Sequence, residues 1–359
     1  MNDNPSMDPV RLGIIGCGAI GRTHARLAAE SPLLMPIALA DLRLPIAQEV
    51  AAQVNVQKVY TSPHQLLADP DVEAVVLALP TAGRADLACQ ALHAGKHVLV
   101  EKPIAMNTAE VRQMIAARGG QVAACCSSRM RGFASAGVAT EFLASGVLGT
   151  LRVVRCRALK AAGTPPQAPP PAWRLSRSLN GGGILVNWGC YDLDYLLGIT
   201  GWSLRPRLVL ARMWSLPKQF SAYAAHESDA ETHVAALITC DDGVVISLER
   251  GEFVAAATDE AWQVIGDGGS LRLQMTPGRD KCMVYDEGTP RGVVSRPIWQ
   301  GNEAEGMDHV AVLEDFARAV RTGARPRTTL DQALLVQAIT DAVYASAARG
   351  TAVEVETCA

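Results

Sequence analysis

"RLGIIGCGAIG", Arg11 to Gly21, decides the fold of the first part of this chain. Arg11 to Ile15 reads as a short buried strand, Gly16-Cys17-Gly18-Ala19-Ile20-Gly21 follows at once, and an apolar helical pattern then runs through Leu27 and Ala28. Strand, G-x-G-x-x-G and helix, in that order, form a dinucleotide-binding turn. Gly16 permits the tight turn, Gly18 lets backbone approach a pyrophosphate, and Gly21 lets the helix pack on the strand. The amides of Ala19 and Ile20 then face phosphate from a helix N-terminus, whose dipole favours negative charge.

Working outward, a second strand from Ile37 to Ala40 ends in Asp41. An acid about 20 residues beyond the last glycine accepts hydrogen bonds from the adenosine ribose and repels a 2'-phosphate. Asp41 therefore argues for NAD, while Arg43 beside it would relax that preference toward NADP. Helices at Pro45 to Gln53, Pro63 to Ala68 and Arg84 to His93 alternate with strands at Gln57 to Tyr60, Ala74 to Leu79 and His97 to Val100. That alternation predicts a parallel sheet with right-handed crossovers, which binds ligands at the carboxyl ends of its strands. Those ends carry Leu79-Pro80 and Glu101-Lys102-Pro103, so a lysine closes a buried strand beside the expected cofactor.

The 359 residues suffice for two domains, each with its own core. A formal charge of -3 with 19% charged residues gives no electrostatic case for nucleic acid or a membrane surface, so the expected partner is a small molecule. Nine cysteines are scattered without a C-x-x-C pair, which favours free thiols in a reducing compartment. The start, MNDNPSMDPV, lacks the basic and apolar regions of a signal peptide, and no apolar run reaches the ~20 residues that span a bilayer. The expectation is a cytoplasmic protein.

Later in the chain, "GGGILVNWGCYDLD" from Gly181 places Asn187, Tyr191 and Asp194 at i, i+4 and i+7, a polar stripe on a helix whose Leu193, Leu196 and Leu197 supply a core side. Val234 to Cys240 and Val244 to Leu248 read as strands joined by the hairpin turn Asp241-Asp242-Gly243. Five prolines in "AAGTPPQAPPPA" preclude regular structure and lead to Trp173-Arg174, whose amphipathic ring and forked cation suit a ligand wall. No metal-ligand cluster is evident, and His226 and His233 are read as structural.

Together, G-C-G-A-I-G, Asp41, "DVEAVVLALP" ending at Pro80, "AGKHVLVEKP" ending at Pro103, the G-G-G segment, "GVLGTLRVV", "VIGDGGSLRL" and the closing helices from Val310 to Arg349 resemble the glucose-fructose oxidoreductase / inositol dehydrogenase family, Gfo/Idh/MocA. The resemblance implies an α/β Rossmann domain, taken here as 1–128. It also implies an α+β domain, 129–359, with a large, open, mostly antiparallel sheet that commonly forms a homodimer or homotetramer interface. Sugars, inositols or related polyols are the substrates it implies. It further implies ligand contacts from the loop holding Arg129.

Departures from the family pattern bear on mechanism. The family's aspartate position is Asn187, its histidine position is Tyr191, and the histidine of the usual P-N-x-x-H pattern after Pro80 is Arg84. Lys102 is retained. Hydride transfer between an alcohol and a nicotinamide needs a group to take the hydroxyl proton. With histidine absent, Tyr191 is the expected acid/base, tuned by the Lys102 cation, with Asn187 orienting substrate and Asp194 binding a further hydroxyl or anchoring the helix. Two other readings remain: an NAD-dependent glycosidase working by transient sugar oxidation and elimination, and an NAD-binding sensor without turnover.

Overall fold

The computed structural model describes residues 8–168, 170–304 and 306–356. The opening residues to Met7, Pro169 of the proline run, and Cys358 lie outside the described residues. The chain divides into two compact units.

In the first unit the elements run β1 (Val10–Ile15), α1 (Ala19–Glu30), β2 (Leu34–Ala40), α2 (Leu44–Gln53), β3 (Lys58–Tyr60), α3 (Pro63–Leu67), β4 (Ala74–Leu77), α4 (Arg84–His93), β5 (His97–Val100), α5 (Thr108–Ala117) and β6 (Ala123–Cys125). The strands form a six-stranded sheet in the order β3-β2-β1-β4-β5-β6, with every pair parallel. Every residue of β4 is buried, which is why it reads as an unbroken apolar run instead of an alternating one. β4 stops at Leu77, two residues short of the expected end, because its ladder with β1 closes at the Ile15 and Leu77 pair. There Gly16 turns away.

The second unit holds α6 (Ala134–Ala144), β7 (Leu151–Ala161), α7 (Arg177–Asn180), α8 (Cys190–Ile199), β8 (Pro206–Trp214), β9 (His233–Cys240), β10 (Val245–Val254), β11 (Asp259–Gly266), β12 (Gly269–Leu273), β13 (Gly278–Thr289) and β14 (Gly292–Glu303). After these come α9 (Met307–Thr322), α10 (Leu330–Arg349) and β15 (Val353–Glu354). The second sheet has nine strands in the order β14-β13-β12-β11-β7-β10-β9-β8-β15, antiparallel except for the β7 and β10 pair. The expected hairpin joins β9 to β10, with Gly243 at φ 82° in its turn. Along β7, Val154, Cys156 and Ala158 enter the core that α8 also fills, while Arg155 and Arg157 point outward.

α9 departs from the expected contiguous domains. Gly306–Ala333 belongs to the first unit, where Val312, Leu313, Phe316 and Ala317 join the core around β1 and α1. Its apolar face needs a partner, and β1 and α1 supply it. The boundaries 1–128 and 129–359 therefore do not match the compact units. Cysteines among the described residues are all free thiols. No helix among them is long and apolar enough to cross a membrane.

Candidate active site

In the first unit, the glycine turn is built by close backbone approach. A Cβ on Gly16, at φ +93°, would lie 2.4 Å from the Ala78 carbonyl oxygen, and one on Gly21 would lie 1.8 Å from that of Gly16. Gly18 differs: its φ is -67° and nothing lies within 4 Å of where its Cβ would stand. Open space thus adjoins the first amides of α1, at Ala19 and Ile20. Asp41 sits against this turn, its carboxylate accepting from the Cys17 N–H and from the Arg43 N–H, each at 2.9 Å. The Arg43 guanidinium is largely exposed, with Nε 3.7 Å from Asp41. Leu79 covers Gly16, and Pro80 is exposed. Free amides at a helix start, an open ledge at Gly18 and a fixed carboxylate after β2 suit the pyrophosphate and ribose of NAD.

β5 is followed directly by Glu101 and Lys102. Glu101, expected among the cofactor contacts, is enclosed instead: Oε1 meets His24 Nε2 at 2.8 Å and Oε2 accepts the Lys102 N–H at 2.9 Å. Burial would raise this carboxyl, but the His24 hydrogen bond, the His24 and Lys102 charges and the Lys102 N–H hold it well below the usual carboxylate range. Cys126 approaches the same site, its ligand atom lying within 4.8 Å of those of His24 and Glu101. Burial and the Glu101 charge push its thiol up, so it remains protonated. This carboxylate is satisfied by donors of the protein. Arg84 is also buried and donates to the Leu79 carbonyl at 2.6 Å and to that of Pro103. Arg129, from the loop expected to contact ligand, pairs with Asp308 and meets His309 Nε2 at 2.9 Å, both at the start of α9.

In the second unit, each glycine of the G-G-G segment has its own reason. Gly181 takes φ +82°, a Cβ on Gly182 would stand 1.7 Å from the Tyr344 hydroxyl, and one on Gly183 would stand 1.8 Å from the Glu231 carbonyl oxygen. The Glu231 carboxylate, buried, accepts from the Gly183 N–H at 3.0 Å, the Leu185 N–H at 3.1 Å and the Tyr344 hydroxyl at 2.9 Å. Burial raises the Glu231 carboxyl despite these bonds. The segment then makes a single π turn over Leu185–Gly189 before α8 begins. The expected stripe is therefore broken, with Asn187 in the π turn and Tyr191 and Asp194 in α8.

Two polar residues of the stripe, Asn187 and Asp194, are held within the unit. Asn187 donates to the Arg174 carbonyl at 3.0 Å and accepts from Asn180 at 3.2 Å, so it braces the preceding loop. Asp194 is fully enclosed and accepts from Arg131 Nε at 2.7 Å, a contact that suits the helix-anchoring reading. Tyr191 is buried, its ring edge-on to Trp188 at 5.6 Å. Arg174 is held by Glu252 at 2.5 Å, while Trp173 beside it is exposed. His24 and Glu231 went unnoticed in sequence. Their partners lie 77 and 46 to 113 residues away, and no local spacing signals such pairs.

Comparison with known proteins agrees with these features. A family model described as "Oxidoreductase family, NAD-binding Rossmann fold" (GFO_IDH_MocA) matches residues 10–124, and the "GFO/IDH/MocA C-terminal domain" model matches 138–272. The chain is 25% identical to the 1,5-anhydro-D-fructose reductase of Ensifer adhaerens, over 97% of this chain and 99% of that protein. It is 27% identical to the myo-inositol 2-dehydrogenase of Thermotoga maritima, over 88% and 90%. A solved structure of levoglucosan dehydrogenase in complex with NADH and L-sorbose superposes with a TM-score of 0.82 at 20% identity, covering 98% of this chain and 100% of that one, a likeness of fold.

Proposed function

The chain belongs to the Gfo/Idh/MocA oxidoreductase family, and from that premise we propose that it interconverts a secondary alcohol and a ketone on a sugar, inositol or related polyol. The reductase and dehydrogenase relatives named above act on substrates of this class by their names, which supports the reading. The observation that carries it is Lys102 at the carboxyl end of β5, its backbone N–H held by a buried carboxylate in an NAD-binding fold. When bound, NAD supplies the hydride donor and acceptor. The amides of Ala19 and Ile20 and the ledge at Gly18 would hold its pyrophosphate, Asp41 would take the ribose, and Leu79, Pro80, Glu101 and Lys102 would line the rest of its site.

What the chain must add is proton transfer at the substrate oxygen. A phenol with an ordinary pKa of ~10 is a poor base near neutrality. A neighbouring ammonium favours the phenolate. Tyr191 is assigned the proton transfer, and Lys102 the tuning of Tyr191 and the binding of the reacting oxygen. The outward face of the second sheet exposes Leu210, Trp214 and Leu237, which supports self-association there as a homodimer or homotetramer.

The test is reduction of excess NAD, followed by absorbance, against inositols, aldoses, sugar acids and glycosides, with products analysed. Net reduction on a polyol is expected. Tyr191→Phe and Lys102→Met should lower kcat about 10²-fold or more while NAD affinity holds. Unchanged turnover in both variants would refute the assignment, and aglycone release without net reduction would replace oxidation by elimination.

A further inference from the structure

Arg84 has no part in that chemistry, yet it is among the largest fully buried side chains of the molecule. It stands where the family resemblance leads one to expect a histidine. Its guanidinium reaches two carbonyls from different segments: Leu79, just past β4, and Pro103, just past β5. A planar fork can span two acceptors at once, which the single point charge of an ammonium does poorly. On the other side of Lys102, its N–H is taken by Glu101 Oε2 at 2.9 Å, and Glu101 is held in turn by His24. The backbone of Lys102 is thus gripped at its own N–H and at the carbonyl of the next residue, with both gripping groups buried.

We propose that Arg84 is a positioning residue that, opposite Glu101, clamps the Lys102 backbone and sets where its ammonium acts. The inference rests on the assignment of Lys102 in the reaction. Lysine carries a charge on a long flexible stem, so confining its base is the main means by which the fold can limit where the charge goes. Misplacement of a reacting group by about 1 Å can cost ~10²-fold in rate. Through this arrangement Arg84 ties the segment that borders the cofactor at Leu79 to the segment that carries Lys102.

The experiment is a double-mutant cycle of Arg84→Lys with Lys102→Met, reading kcat, KM, NAD affinity and the unfolding midpoint. Arg84→Lys keeps the buried charge and gives up the fork. A drop in kcat of tenfold or more is expected, with KM and NAD affinity within about threefold of the unsubstituted protein. Combined with Lys102→Met it should add no further loss, because the residue it positions is gone. Unchanged kcat in Arg84→Lys, or losses that multiply in the double variant, would overturn the clamp. Full turnover by Lys102→Met alone would instead refute the parent assignment. Should Arg84→Lys fail to fold, Arg84→Gln carries the same cycle, since its shorter side chain gives up the fork that spans the Leu79 and Pro103 carbonyls.

Discussion

Gly18 and Gly21 belong to one motif and answer to different demands. Gly21 is required by the fold, because any side chain there strikes the Gly16 carbonyl. Gly18 has an ordinary φ and open space, so the protein itself has no steric need of it. Gly18→Ala should fold normally and lose NAD affinity tenfold or more, about 1.4 kcal/mol. Gly21→Ala should lower stability by several kcal/mol, as backbone cannot yield to a Cβ at that distance. Calorimetric NAD titration and thermal unfolding of the two variants separate the effects. Undiminished NAD affinity in Gly18→Ala would remove the pyrophosphate from that ledge. The glycine motif is thus legible in sequence, but only geometry sorts its members into those serving fold and those left for the ligand.

At the scale of elements, the segment from Gly181 into α8 shows how the backbone reshapes a polar pattern. The sequence places Asn187, Tyr191 and Asp194 at helical spacing, but the π turn breaks the face, and Asn187 and Asp194 find partners inside the unit. What organises the turn is Glu231, which sits just ahead of β9 and gathers two backbone N–H groups and the Tyr344 hydroxyl. Glu231→Ala leaves three buried donors without an acceptor and should cost about 3 kcal/mol or more. Because burial raises the Glu231 carboxyl, its neutral form is tolerated in the fold, and Glu231→Gln should cost about 1 kcal/mol or less. Denaturant unfolding read by tryptophan fluorescence distinguishes the two. Equal stability of Glu231→Ala and the unsubstituted protein would contradict the role given to this residue.

Across the whole molecule, the chain's return as α9 completes the first unit and brings His309 beside Arg129 and His24. Burial first, then the Arg129 and His24 charges, push the His309 imidazole down to about 4. In the unfolded chain it titrates near ~6.5. Between those values the unfolded state binds the extra proton, so stability rises with pH across this window and falls as pH drops from about 6.5 toward about 4. Stability measured by denaturant at several pH values should show that slope, and His309→Gln should flatten it. An identical slope in the variant would mean other groups carry the acid sensitivity.

The sequence by itself determined what depends on neighbours in the chain. The order of strands and helices through residue 100, the glycine turn with Asp41 beyond it, the Asp-Asp-Gly hairpin and Lys102 at a strand end all follow from periodicity, steric limits and short spacing. Tertiary structure decided which polar groups stay available and which are used up. Glu101 and Arg84 are enclosed around Lys102, Asp194 and Arg174 are paired, and α9 joins the first core, through contacts between residues far apart in sequence. The physical reason is that local spacing fixes the shape of an element, whereas burial and pairing of a charge depend on which distant groups pack against it.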